Sequence, residues 1–117
     1  MKVLVCGGRD LQDQGSVFDA LDAIHRERHI AVVIHGAAEG ADGCADEWAF
    51  QRRVQRSTWP APWPPHGTDR SAGPRRNAAM LLHMKPDLVI AFPGGRGTAD
   101  MVAKARAAGV EVREVPA

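Results

Sequence analysis

Short apolar runs alternate with segments of helical period along this chain, and few architectures accept that order. Lys2-Val-Leu-Val-Cys6 is apolar almost throughout and stops at Gly7-Gly8. A strand with so little in-and-out alternation is one covered on both faces. Val17, Phe18, Leu21 and Ile24 then recur at helical spacing, with Ser16 placed as their N-cap. Ala31 to His35, ended by Gly36, repeats the strand, and Ala41 to Val54, carrying Ala45, Trp48 and Ala49, repeats the helix. Arg56 to Pro60 reads as a short third strand, Ala78 to Met84 as a third helix and Asp87 to Phe92 as a fourth strand. Thr98 to Ala108, stopped by Gly109, is a fourth helix, and Val110 to Val115 closes as a fifth strand. Alternation without a hairpin signal predicts an α/β fold, a five-stranded parallel sheet between helices joined by right-handed crossovers. With 117 residues, 44% of them hydrophobic, the chain can bury one core, so residues 1–117 are expected to form one domain.

No apolar stretch approaches the roughly 20 residues needed to cross a bilayer. The N-terminal apolar run is interrupted too early for a signal peptide, so a cytoplasmic protein without a membrane partner is expected. Cys6 and Cys44 match no metal-ligand spacing and give no disulfide framework. They are expected to be small buried residues, and neither a metal nor a cofactor is expected. The formal charge of +1 conceals an asymmetry: nine of the 14 acidic residues fall within 1–50 and eleven of the 15 basic ones within 51–117. Among the latter Arg70, Arg75, Arg76 and Arg96 lie near glycine or proline, where loops that meet an anion are expected.

In an open parallel sheet ligands bind beyond the carboxyl ends of the strands, where the strand order reverses. Three glycine loops leave predicted strand ends: Gly7-Gly8-Arg9-Asp10, the stretch His35-Gly36 to Gly40-Ala41-Asp42, and Pro93-Gly94-Gly95-Arg96-Gly97-Thr98. All three open on one edge. Glycine lets a bulky group approach the main chain, and the helix after each loop offers unpaired N–H groups and a positive dipole end. A phosphate fits, with Thr98 donating its hydroxyl. The alternative is tight turns whose glycines serve packing alone. None of the loops is G-x-x-x-x-G-K-[ST] or G-x-G-x-x-G, which argues against ordinary nucleoside-triphosphatase or dehydrogenase chemistry.

Around these loops Arg76, with Arg75 beside it, is the candidate for phosphate or ribose recognition, the alternative being two solvated arginines at a helix start. Arg9 and Asp10 either pair structurally or touch the ligand, and Asp42 either touches it or serves the helix dipole. His35 is expected to be a satisfied buried histidine, and Trp48 to belong to the core or a subunit interface. The proline-rich connection 60–73, with prolines at 60, 62, 64 and 65, carries Trp63 and His66 and follows directly on Trp59, and the two tryptophans either stack on a base or pack the loop down.

Four blocks carry a resemblance: Lys2-Val-Leu-Val-Cys-Gly-Gly-Arg-Asp10, the segment from His35 to Ala49, Ala72-Gly-Pro-Arg-Arg-Asn-Ala-Ala-Met80, and the segment from Asp87 to Met101. Together they resemble the SLOG superfamily, named for the Smf/DprA and Lonely Guy proteins, and within it the small YspA-like branch. The resemblance implies a Rossmann-like three-layer sandwich, a homodimer, and a nucleotide-derived ligand of nucleoside monophosphate or ADP-ribose type. Lonely Guy enzymes hydrolyse the N-glycosidic bond of nucleoside monophosphates and carry R-K-x-x-M and P-G-G-x-G-T-x-x-E. Here Arg76 to Met80 is similar to the first motif with Asn77 for its lysine, and Pro93 to Thr98 keeps the second with Met101 for its glutamate. Splitting that bond needs a group that handles a proton, which a thioether does not. Arg76, Asp100 and Asp10 are then the candidate catalytic residues, Asp100 only if the helix start is rotated. A sensor that binds without turnover and, from the DNA-processing branch, a binder of single-stranded DNA or RNA are the other readings.

Overall fold

The computed structural model describes residues 1–60 and 71–116. In chain order the elements are β1 (Lys2–Cys6), α1 (Gln14–Glu27), β2 (Val32–His35), α2 (Ala41–Arg52), β3 (Gln55–Thr58), α3 (Ala72–Met84), β4 (Leu88–Ala91), α4 (Arg96–Ala107) and β5 (Glu111–Glu114). The strands form one sheet in the order β3-β2-β1-β4-β5, every pair parallel. The expected Rossmann-like α/β architecture is what forms. The order reverses between β1 and β4, and there the three glycine loops meet.

Alternate residues of the central strands supply two separate cores, because successive side chains of a strand point to opposite faces. Val3, Val5, Val33, Leu88 and Ile90 pack with Val17, Leu21, Ala45 and Trp48 beneath α1 and α2. Leu4, Ile34 and Val89 pack with Met80, Met101 and Ala105 beneath α3 and α4. Trp48 is fully buried, which places it in the core, and its indole N–H donates to Asp22 Oδ1 at 2.8 Å. Arg52 binds the same carboxylate through Nε and Nη2, both at 2.9 Å. The Arg52 hydrogen bonds, then the Trp48 one, hold Asp22 down at about 2.

Several boundaries differ from expectation. Asp13, not Ser16, caps α1: its carboxylate accepts the Ser16 N–H at 3.0 Å and the Ser16 hydroxyl at 2.6 Å. β3 begins one residue earlier and ends two earlier than expected, at Gln55 and Thr58. α3 begins at Ala72, six residues early, so Arg75, Arg76 and Asn77 stand on a helix rather than in a loop. Pro74 falls in its first turn, where the missing N–H would have had no intrahelical acceptor. α4 begins at Arg96, two residues early, which moves Arg96 and Gly97 out of the loop and into the first turn with Thr98. Cys6 and Cys44 are half-buried rather than buried. Trp63, His66 and Arg70 lie outside the described residues. Among the described residues no helix is long and apolar enough to cross a membrane.

Asp22 ties α1 to α2, and its depressed pKa gives the pH dependence a sign. The stabilisation is complete above the ordinary carboxylate pKa of about 3.9 and is lost as pH falls through about 2. Asp22→Asn is therefore expected to be less stable than the parent in urea at pH 7, with the deficit closing towards pH 2. Trp48→Ala, which empties the core of its largest side chain, should cost about 3–5 kcal/mol in the same experiment.

Candidate functional site

The loops leaving β1, β2 and β4 close on one another through their backbones. Gly8 donates its N–H to Pro93 O at 2.8 Å, and its own carbonyl accepts from Leu11 at 3.3 Å and from Ala41, the first residue of α2, at 3.2 Å. Side chains are excluded from this contact. A Cβ on Gly94 would meet Gly8 N at 2.7 Å, and one on Gly7 would meet Ala41 Cβ at 2.5 Å. Gly40 has φ +70°, and a Cβ there would stand 2.2 Å from Gly8 O. Gly36 leaves room for a different neighbour, since a Cβ would meet Arg76 Nη1 at 2.2 Å. These glycines, which the sequence assigns to ligand approach, are accounted for by contacts within the protein. Only at Gly95 and Gly97 among the three loops does a Cβ meet nothing within 4 Å.

A cavity of about 960 Å³ opens at this edge. Gly7 to Leu11, Gly36, Ala38, Asp42, Pro74, Arg76, Asn77, Met80, Pro93 to Thr98 and Asp100 all line it. Every candidate site residue is on that wall except Gly40, turned against Gly8, and Arg75, whose side chain is exposed and donates from Nε to Ser71 O at 3.3 Å. A smaller cavity of about 490 Å³ lies against the same Pro93–Gly95 stretch, between α4 and the end of β5. Its titratable side chains, Arg106 and Glu114, pair with each other at 3.0 Å, so the larger cavity holds the chemistry.

The helix N-termini are not equivalent. α1 is capped by Asp13, and α2 has its first N–H on Gly8 O and Asp42 in its first turn. α3, after Ser71, and α4, after Gly95, both start with no capping side-chain hydrogen bond and no acid in the first turn, but Pro74 removes one amide from the first turn of α3. The opening residues of α4, Arg96 to Thr98, line the cavity, and Gly95 and Gly97 there have open surfaces.

The charged groups divide by partner. Asp42 is buried and accepts the N–H groups of Gly36 at 3.1 Å and Ala38 at 3.2 Å on one oxygen, which folds the second loop. Burial pushes its pKa up, against those amides and the nearby His35 and Arg76. His35 is the satisfied buried histidine expected: Nδ1 accepts from Ala37 N–H at 2.9 Å and Nε2 faces Asp46 at 2.8 Å, which in turn binds Arg56 at 2.8 Å. Arg76 is half-buried, and burial lowers its pKa. Its Nη1 donates to Gly36 O at 2.8 Å and Trp59 O at 3.1 Å, and its Nε to Asn77 Oδ1 at 3.0 Å. One nitrogen on each edge of the guanidinium that would grip a phosphate in two-pronged fashion is thus committed to protein, and among the described residues Nη2 has no hydrogen-bond partner. Trp59 is taken up by packing, stacked on His83 at 6.0 Å with Nε1 on Ser57.

Asp100 lines the cavity, while Met101 is fully buried against the sheet. With α4 starting at Arg96, Asp100 faces the cavity and the glutamate position of the resembled motif faces the core. Asn77 donates to Asp100 at 3.0 Å, and Lys104, one turn further on, ion-pairs with it. Burial alone would raise Asp100, but Lys104 and then Asn77 outweigh it and hold the carboxyl below its usual range. Lys104 was missed in the sequence, although its spacing from Asp100 is the helical ion-pair signal. Cys6 was also missed. It lines the cavity as the last residue of β1, and burial, then Asp42 and Glu114, push its thiol up to about 12, so it is a neutral wall residue. Among the described residues no group of His, Cys, Asp and Glu is arranged to hold a metal ion.

The fold and the cavity at the reversal of strand order define a Rossmann-like α/β protein with a strand-end cleft. More particularly, the chain belongs to the YspA, cpYpsA-related SLOG family, whose model matches residues 1–66. It is 40% identical over 119 residues to the Gene 61 protein of Mycobacterium phage D29, covering 95% of this chain and 93% of that one. Among solved structures it is similar in fold to Acinetobacter baumannii MurG, with a TM-score of 0.61 at 12% identity, over 98% of this chain and 34% of that chain.

The two kinds of glycine predict opposite responses. Gly40→Ala forces a Cβ into a glycine-only conformation and onto Gly8 O and is expected to cost about 2–4 kcal/mol. Gly97→Ala, in the first turn of α4 with free space around it, should be neutral or stabilise by up to about 1 kcal/mol. Urea unfolding of the two variants checks both.

Proposed function

We propose that the chain binds a nucleotide-derived phosphate ester, its phosphate on the N-terminus of α4 and its sugar in the cavity between Asp100 and Arg76. The observation that carries this reading is the start of α4: no capping side chain, no acid in the first turn, and two glycines with open surfaces on the cavity. Backbone N–H groups and the helix dipole together make such an end a site for a phosphate. Membership of the SLOG family is consistent with a nucleotide-related ligand. Asp100, held ionised by Lys104 and Asn77, suits accepting a hydrogen bond from a sugar hydroxyl better than giving a proton to a leaving base. Retention of the ligand without turnover, as a sensor, therefore fits these residues better than hydrolysis.

The test is thermal unfolding with AMP, other nucleoside monophosphates, ADP-ribose, NAD and a short single-stranded DNA, followed by chromatography of the incubated ligand. A ligand at one hundred times its Kd adds about 2.7 kcal/mol, a rise of roughly ten degrees for a domain this size. The expected result is stabilisation by a nucleotide recovered intact, reduced in Gly97→Ala although that variant folds at least as well. Release of free base would make the protein a hydrolase. A larger shift with DNA, falling steeply with salt, would favour the nucleic-acid reading, and no shift at all would remove the phosphate site.

A further inference from the structure

Asn77 is 4% exposed and bonds three groups at once. Its Oδ1 accepts from Arg76 Nε at 3.0 Å, and its Nδ2 donates to Asp100 Oδ2 at 3.0 Å and to Gly97 O at 3.2 Å. An asparagine amide has two donor hydrogens, and both are committed within the protein. A buried side chain so occupied acts through its neighbours rather than on a ligand. The three it holds come from both sides of the proposed phosphate position: the guanidinium of α3, the carboxylate of α4, and the first-turn carbonyl of α4 between them. Arg76 is anchored at its other end by Gly36 and Trp59, and Asp100 by Lys104, so Asn77 is the link between two otherwise separate anchors. The chemistry of the link is particular. A lysine could not accept from Arg76, an ionised aspartate could not donate to Asp100, and an alanine could do neither.

We propose that Asn77 is a positioning residue, which locks Arg76 Nη2, the Asp100 carboxylate and the opening turn of α4 in one register so that they meet the phosphate and hydroxyl groups of a single phosphorylated sugar. The part that concerns the ligand rests on the function proposed above. The lock itself is a property of the free protein.

Two measurements separate these. In the free protein the Arg76 Nε–H, followed by nitrogen-edited NMR, is expected to exchange with water slowly, and about tenfold or more faster in Asn77→Ala, in keeping with loss of a hydrogen bond to a charged group. Unchanged exchange would overturn the proposal whatever the ligand. With AMP as probe, Asn77→Ala should weaken binding by about tenfold or more at every pH. Asn77→Asp should weaken it most near pH 8, where two carboxylates face each other, and regain part of it towards pH 5, as a shared proton restores a donor towards Asp100. Among the described residues the charged groups facing position 77 or its partners are Asp100 and Lys104 on α4, Arg76 on α3, Asp42 on α2 and Arg9 of the first loop. A merely structural residue would not give a pH-dependent recovery. Wild-type affinity in both variants would sink the proposal, and if Asn77→Ala fails to fold, the Asn77→Asp profile and the wild-type exchange rate still decide. Slow exchange in a protein that ignores AMP would leave the lock standing and remove the ligand reading instead.

Discussion

The backbones of three loops touch at the point where the strand order reverses, and the rest of the site is arranged by that contact. Gly8 is its centre, joined to Pro93 through its N–H and to Ala41 and Leu11 through its carbonyl. A parallel sheet brings the exits of β1, β2 and β4 to one edge but does not by itself bring them within hydrogen-bond reach. Removal of Cβ at positions 7, 40 and 94 does so. Once the loops are joined, the start of α2 is satisfied by Gly8, while the start of α4 is carried past the joint and left open to the cavity. The first end is taken up by the carbonyl of Gly8, whereas no side chain caps the second.

The strand and helix order was legible because buried parallel strands are apolar on both faces, as β1 and β4 are. β3 was harder. It is a polar edge strand, Gln55-Arg-Ser-Thr58, recognised by pairing with β2 rather than by hydrophobicity. The starts of α3 and α4 were misplaced for one shared reason. Gly73, Pro74, Gly95 and Gly97 read as loop punctuation, yet the first turn of a helix has no intrahelical acceptors for its N–H groups, so proline costs no bond there and glycine little. That error bore on the site, because it put Arg76 and Asn77 in a loop and turned Asp100 away from the cavity. The edge that carries the site was legible, whereas the division of its glycines into those that admit other loops and those that face open space was not. Both kinds are written with the same letter, and only the neighbours across the fold distinguish them.

The acids show the same limit. Asp22, Asp42, Asp46 and Asp100 are indistinguishable in the sequence beyond their helical positions. In the fold Asp22 joins two helices through Trp48 and Arg52, Asp42 folds a loop through two amides, Asp46 bridges His35 and Arg56, and Asp100 reaches the cavity wall with Lys104 and Asn77 behind it. All four bond within the protein, and of them Asp42 and Asp100 also line the cavity. Partners set the pKa directions too: burial wins for Asp42, whereas for Asp46 and Asp100 burial is outweighed by the cationic partner and hydrogen bonds.

That sorting bears on what the proposed site does with its ligand. N-glycosidic hydrolysis asks for a group that can yield a proton to the leaving base near neutral pH, and enzymes obtain one by raising a carboxyl pKa. Asp100, which lines this cavity beside the start of α4, is shifted the other way, by an ion pair with Lys104 on its own helix and a hydrogen bond from Asn77. The carboxyl whose pKa is raised, Asp42, holds two backbone amides, and losing its charge would loosen the loop that leads into α2. Met101 cannot take the part, because it is buried against Leu4 and Met80 on the far side of its helix turn. The electrostatics that make Asp100 a good acceptor for a sugar hydroxyl are thus the same ones that unfit it as an acid. A phosphorylated sugar held by α4, Asp100 and Arg76 would be retained rather than cleaved.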